Sequence, residues 1–90
     1  MIQSLTPWIG VLAAGLTSLS YIPQVRKAWP RGSTSDLSLR MLVALTSGLL
    51  LWVLYGVVKG DWVIVIANCV GAALSGSVLA FKIRDIRAGS

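Results

Sequence analysis

Polar residues are confined to short intervals in this chain, and three long apolar runs lie between them, over 5–25, 41–58 and 62–81. Each run holds about 18–21 residues, which at 1.5 Å per residue crosses a hydrocarbon core of about 30 Å as a helix. The pattern predicts an all-α membrane protein, a three-transmembrane-helix bundle forming one domain over 1–90. Thr6 suits the cap of the first helix and Pro7 its first position, where a missing N–H costs nothing. No basic residue precedes the first run, and the run is too long for a cleaved leader, so it reads as a retained helix.

Composition agrees with this picture. Hydrophobic residues make up 56% and charged residues 12%, and mean hydropathy is +0.79. This excludes a disordered chain and argues against an ordinary soluble domain. Cys69 is the one cysteine and there is no histidine. An internal disulfide is therefore impossible, no Cys/His set exists to hold a metal, and no cofactor is expected.

The net charge is +5, and its placement bears on partners. The basic residues flank the apolar runs and form no patch with interleaved aromatics, so they read as membrane anchors and not as a nucleic-acid surface. Arg26, Lys27, Arg31 and Arg40 stand in the first connection against Asp36. Lys82, Arg84 and Arg87 stand in the tail against Asp85. With three spans these two segments share a side, and the positive-inside rule makes that side cytoplasmic. The N-terminus and the short turn Lys59-Gly60-Asp61 then face outside.

Three helices leave no room for a substrate path. A protein of this size that moves a solute needs a second copy, and a two-fold dimer is the simplest closed assembly. Small residues at helical spacing allow close packing: Gly10, Ala14 and Ser18 on the first span, Gly71 with Ser75 and Ala72 with Gly76 and Ala80 on the third. They fit packing within the chain or between copies.

No charged residue lies well inside a span. Carriers of ions or protons usually need such groups, so the pattern favours an uncharged substrate and passive movement. Asn68 is the strongly polar side chain in mid-span. It has two readings, interhelical glue or contact with a polar substrate. Trp52 lies near the middle of the second span, away from the interfaces where tryptophans gather. It shares a helix face with Gly48, Tyr55 and Lys59. Alone it reads as packing. With Asn68 it suits a sugar, which has apolar C–H faces and a hydroxyl edge. Thr17, Tyr21 and Gln24 share a face of the first span. Pro23 frees the carbonyl of Leu19 and marks either a bend or the end of the helix. No nucleophile–base set or phosphate-binding glycine loop is present, so the chain does not read as an enzyme.

Several motifs carry a resemblance. Tyr21-Ile22-Pro23-Gln24 ends the first span, and a basic loop with Ser33-Thr34-Ser35-Asp36-Leu37-Ser38 follows. Leu51-Trp52-Val53-Leu54-Tyr55-Gly56 comes next, then Asn68. Over 10–84 the chain resembles the bacterial SemiSWEET sugar transporters of the PQ-loop group. The resemblance implies a parallel homodimer in the bacterial plasma membrane, forming a six-helix transporter of a mono- or disaccharide by alternating access. It implies a substrate pocket of Trp52 and Asn68 from each copy. It also implies an outer gate of Tyr55, Lys59 and Asp61, in which Lys59 stands where an arginine is common and lacks the planar fork. The inner gate and hinge would be Tyr21, Pro23, Gln24 and Met41. The rival expectations are a PQ-loop carrier of an amino acid or other small metabolite, and a membrane assembly subunit that transports nothing.

Overall fold

The computed structural model describes residues 2–89, with side-chain surroundings from residue 5 onward. Three helices make up the fold: α1 (Ile2–Ala28), α2 (Leu39–Lys59) and α3 (Trp62–Arg87). All three are long and apolar enough to cross a membrane. α3 lies between α1 and α2, whose backbones do not approach each other closely. The Cα atoms extend 55 × 24 × 14 Å. The chain is therefore a thin layer of three helices side by side, in the order α1, α3, α2.

Each boundary has a local cause. Ser38 caps α2, its hydroxyl accepting from the Met41 N–H at 3.2 Å. Gly60 ends α2 with φ 70°, a left-handed conformation that glycine adopts without a Cβ clash. The N–H groups of Gly60 and Asp61 return to the carbonyls of Val57 and Gly56 at 3.1 and 2.9 Å. Asp61 then starts α3, its carboxylate accepting from the Ile64 N–H at 3.2 Å. One residue closes a helix and the next opens another, which is why so short a turn suffices.

The start of α1 differs from the sequence expectation. The helix begins at Ile2 and takes in both Pro7 and Pro23. Thr6 and Pro7 are therefore inside it and not at its first turn. Pro7 removes one hydrogen bond close to the helix end, where solvent can replace the partner. Nor does Pro23 end the helix, which continues through Gln24 to Ala28.

Packing is concentrated on α3. The side chains of Ile64 and Val65 come so close to Gly56 that an added Cβ would lie 2.9 Å from one and 3.0 Å from the other. Gly71 meets Tyr21 of α1 and Leu49 of α2, with an added Cβ 3.3 and 3.4 Å from them. Ser75 is buried and its hydroxyl lies 2.8 Å from that of Thr46. The Gly71–Ser75 spacing thus serves packing within the chain, as small residues do between membrane helices. Ala28, Leu42 and Val78 form a buried apolar cluster where the three helices meet the first loop.

Candidate functional site

Three shallow depressions hold most of the residues singled out from the sequence. On α2, Trp52 and Tyr55 stand beside Gly48 and Leu51 in an open groove of about 470 Å³. Their rings meet edge to face, centroids 5.3 Å apart at 87°. Trp52 is 53% exposed and Tyr55 47%. Gly48 has nothing within 4 Å of where its Cβ would be, so the indole's neighbourhood is open.

Asn68 lines a second depression, a cleft of about 200 Å³ between α1 and α3, with Thr17, Ser18, Tyr21 and Leu49. Its Nδ2 donates to the Ile64 carbonyl one turn back in the same helix at 2.8 Å. Asn68 therefore joins no two helices within the protomer. That bond engages the amide nitrogen and leaves the oxygen able to accept.

The third depression, of about 500 Å³, separates the end of α1 from the start of α2. Pro23, Gln24, Lys27, Leu37 and Met41 line it. Met41 is 50% exposed. Tyr21 does not join this group: it is buried against Gly71 and lines the Asn68 cleft. Gln24 is exposed to this groove, and its side chain has no hydrogen-bond partner among the described residues.

The three depressions open to the same side of the layer. Met41, Gly48, Trp52 and Tyr55 follow i, i+7, i+11, i+14 and so share a face of α2. Thr17, Tyr21 and Gln24 likewise share a face of α1. Met41 and Gln24 line one groove, which ties the two faces together. The opposite side of the α1–α3 seam is almost wholly apolar, with Val11, Gly15, Ile66 and Val70 along it, and suits lipid.

Within one protomer Trp52 and Asn68 do not share a depression. A single layer of helices has no facing wall to bring them around one volume. At the short turn, Lys59 and Asp61 form no ion pair among the described residues, and Asp61 is engaged as the cap of α3.

The PQ loop repeat pattern matches residues 5–65. The chain belongs to the PQ-loop family, in its SemiSWEET branch. It is similar to the sugar transporter SemiSWEET of Bradyrhizobium diazoefficiens, 38% identical over 84% of this chain and 88% of the relative. It is also similar to the sugar transporter SemiSWEET of Leptospira biflexa, 34% identical over 86% and 91%. An uncharacterized protein of Methanocaldococcus jannaschii is 32% identical over 86% and 83%. No solved structure gives a significant match. This family is one of transporters and not of enzymes.

One part of this PQ-loop chain escaped the sequence reading. The charged residues of the tail read there as anchors, but three of them turn inward onto the first loop. Asp85, 2% exposed, accepts from the N–H of Gly32 at 3.0 Å, the N–H of Thr34 at 3.3 Å and the hydroxyl of Thr34 at 2.6 Å. Lys82, 9% exposed, donates to the Thr34 carbonyl at 2.8 Å. Arg84 holds Asp85 at 2.9 Å and donates to the carbonyls of Ala28, Trp29 and Pro30 at 3.2, 2.8 and 3.0 Å. Those carbonyls lie at and just beyond the C-terminus of α1, where a cation is favoured. Arg84 also lies over the Phe81 ring, 4.9 Å from its centroid, and Phe81 packs edge-on against Trp29. The signal available in the sequence was a single acid, Asp85, among bases in the tail. It does not reveal that its partners lie some fifty residues earlier.

Lys27 pairs with Asp36 within the loop and donates to the Ser33 carbonyl at 2.9 Å. The Lys27 ammonium holds the Asp36 carboxyl below the usual carboxylate range.

Proposed function

We propose that this chain carries a mono- or disaccharide across the membrane passively, as a parallel homodimer working by alternating access. The observation that carries the reading is the distribution of polar and aromatic groups on one side of a one-layer protomer. Trp52 and Tyr55 offer an exposed aromatic face, and the Asn68 carbonyl oxygen offers an acceptor. A facing copy would supply the wall that one layer lacks and enclose both sets around a central path. Two relatives of similar length named as sugar transporters support the same reading.

In this mechanism Trp52 from each copy stacks on the apolar C–H face of the sugar ring. Asn68 accepts from a hydroxyl. Its Nδ2 is held by its own helix, so the acceptor is set before the sugar arrives and less ordering accompanies binding. Tyr55, Lys59 and Asp61 close the outside. Exposed ion pairs contribute about 0–1 kcal/mol, which suits a gate that opens and closes with little bias. Pro23 is the bend, with Gln24, Met41 and Tyr21 around the inner mouth. Among the described residues no acid, lysine or arginine lines the Trp52 or Asn68 depression, so net movement follows the sugar gradient.

The chain acts as one transmembrane domain with spans 5–25, 41–58 and 62–81, in the bacterial inner membrane. Its N-terminus is outside, and its first loop and C-terminus are cytoplasmic. The positive-inside rule supports this orientation. Labelling of single cysteines placed in the Lys59–Asp61 turn and in the tail checks it from either side of intact cells.

The experiment that tests the function is uptake of a panel of labelled sugars by proteoliposomes holding the purified protein. Saturable uptake of at least one sugar, lost in Trp52→Ala, is the expected result. Equal uptake by wild type and Trp52→Ala, or none for any sugar, overturns the reading.

A further inference from the structure

At the basic end of the layer, seven hydrogen bonds join α3 to residues 28–34: three from Arg84, three to Asp85 and one from Lys82. Three of the seven are buried, two partly buried and two exposed, and hydrogen bonds to charged groups are among the stronger ones a protein makes. Lys27 adds a tie from the last turn of α1 to the same loop. The start of α2 is held differently. Leu42 packs on Ala28 and Val78 through apolar contact, and the side-chain hydrogen bond between α2 and α3 among the described residues is the Thr46–Ser75 hydroxyl pair. Apolar packing is non-directional and a hydroxyl pair exchanges partners readily, whereas a buried carboxylate cannot lose its donors without a large cost. The two sides of the Pro23–Met41 groove therefore differ in how easily they separate from α3.

We propose that Thr34, Lys82, Arg84 and Asp85 are positioning residues for the inner gate. They bind the last turn of α1 and the loop to the end of α3, so the segment beyond Pro23 moves with α3, and the mouth opens against the start of α2. A bend at Pro23 then carries the end of α3 with it. The Pro23 and Gln24 side of the mouth is set by α3 although neither residue belongs to it. The inference deepens the transport reading, and only its uptake arm rests on that reading.

The test replaces the Thr34–Asp85 contact by a covalent one. In a Cys69→Ser background, the pair Thr34→Cys and Asp85→Cys is oxidised, and uptake is compared with the reduced form. Opening of the mouth is followed separately, by thiol labelling of a cysteine placed at Met41. If the segment and α3 move together, uptake and labelling in the oxidised protein stay within about twofold of those of Met41→Cys alone, whereas the reduced protein, which lacks the Asp85 carboxylate, is labelled faster. A fall of more than about tenfold in labelling, reversed by reductant, means that the contact must break for the mouth to open, and overturns the proposal. Asp85→Asn provides the second measurement where the bridge does not form. It frees the end of α1 from α3 and is expected to raise Met41→Cys labelling by at least about threefold. A lower melting temperature with unchanged labelling would mean that the cluster is only structural, and also overturns the proposal. Absence of uptake by the wild type for every sugar would remove the transport reading but leave the labelling result readable.

Discussion

The buried cluster at the basic end and the open face around Trp52 and Asn68 treat polar groups in opposite ways. Thr34 is fully buried, and Lys82 and Asp85 nearly so, yet each has its partners within the chain. Among the described residues, the Ser33 hydroxyl is the one buried side-chain polar atom without a partner. On the open face the Trp52 indole and the Gln24 amide stand exposed, and the Asn68 amide spends only its nitrogen, on its own helix. Polar groups that are satisfied within the protomer hold the fold. Polar groups left open at membrane depth need something from outside the protomer, whether water, substrate or a second copy.

Substitutions separate the two regions. Asp85→Ala leaves three donors of the loop and the Arg84 guanidinium without their acceptor. It should lower the thermal midpoint in detergent more than any other change considered, and by a wide margin over Asp36→Ala. Trp52→Ala should do the reverse: uptake falls by about tenfold, because each copy of the proposed dimer would lose its stacking ring, while the melting temperature hardly moves. A large loss of stability in Trp52→Ala would erase the distinction.

Gly56→Ala probes the tightest approach of α2 and α3. Its Cβ would meet Ile64 at 2.9 Å and the Val65 backbone nitrogen at 3.1 Å. A destabilisation of about 1–3 kcal/mol is expected in chemical denaturation, as for other overpacked sites. Gly48→Ala, with open space around it, should be tolerated in stability and read out only in uptake. Asn68→Ala should cut uptake several-fold and change stability by less than about 1 kcal/mol. A larger stability loss would assign Asn68 to helix–helix packing in the dimer.

The smallest effect belongs to Asp36. Lys27 lowers its folded pKa, so the pair stabilises the fold above the unfolded value of about 3.9 and loses that contribution as pH falls through the lowered folded value. Both side chains are largely exposed, at 44% and 66%, so solvent and salt screen the pair. Asp36→Asn should flatten the acid limb of a stability–pH curve slightly, and added salt should shrink the difference further.

Much of the protein could be read from its linear pattern. The three apolar runs and the short turn Lys59-Gly60-Asp61 depend on neighbours a few residues away, and local rules suffice for them. The same holds for the helix faces that carry Gly48, Trp52 and Tyr55, and Thr17, Tyr21 and Gln24. Pro7 misled because a helix near its start tolerates a lost hydrogen bond, so proline there does not mark the first turn. The Trp52 and Asn68 pair was legible as two unusual side chains, but not as two separate depressions, since that depends on the thin order α1, α3, α2.

By itself the sequence determined three spanning helices and the apolar or polar character of each face, because these follow from periodicity. Only the tertiary structure decided that α3 stands in the middle, that Tyr21 packs on Gly71, and that Arg84 and Asp85 fasten the loop. These contacts join residues some fifty positions apart, and chain spacing carries no information about which polar groups meet once helices lie side by side.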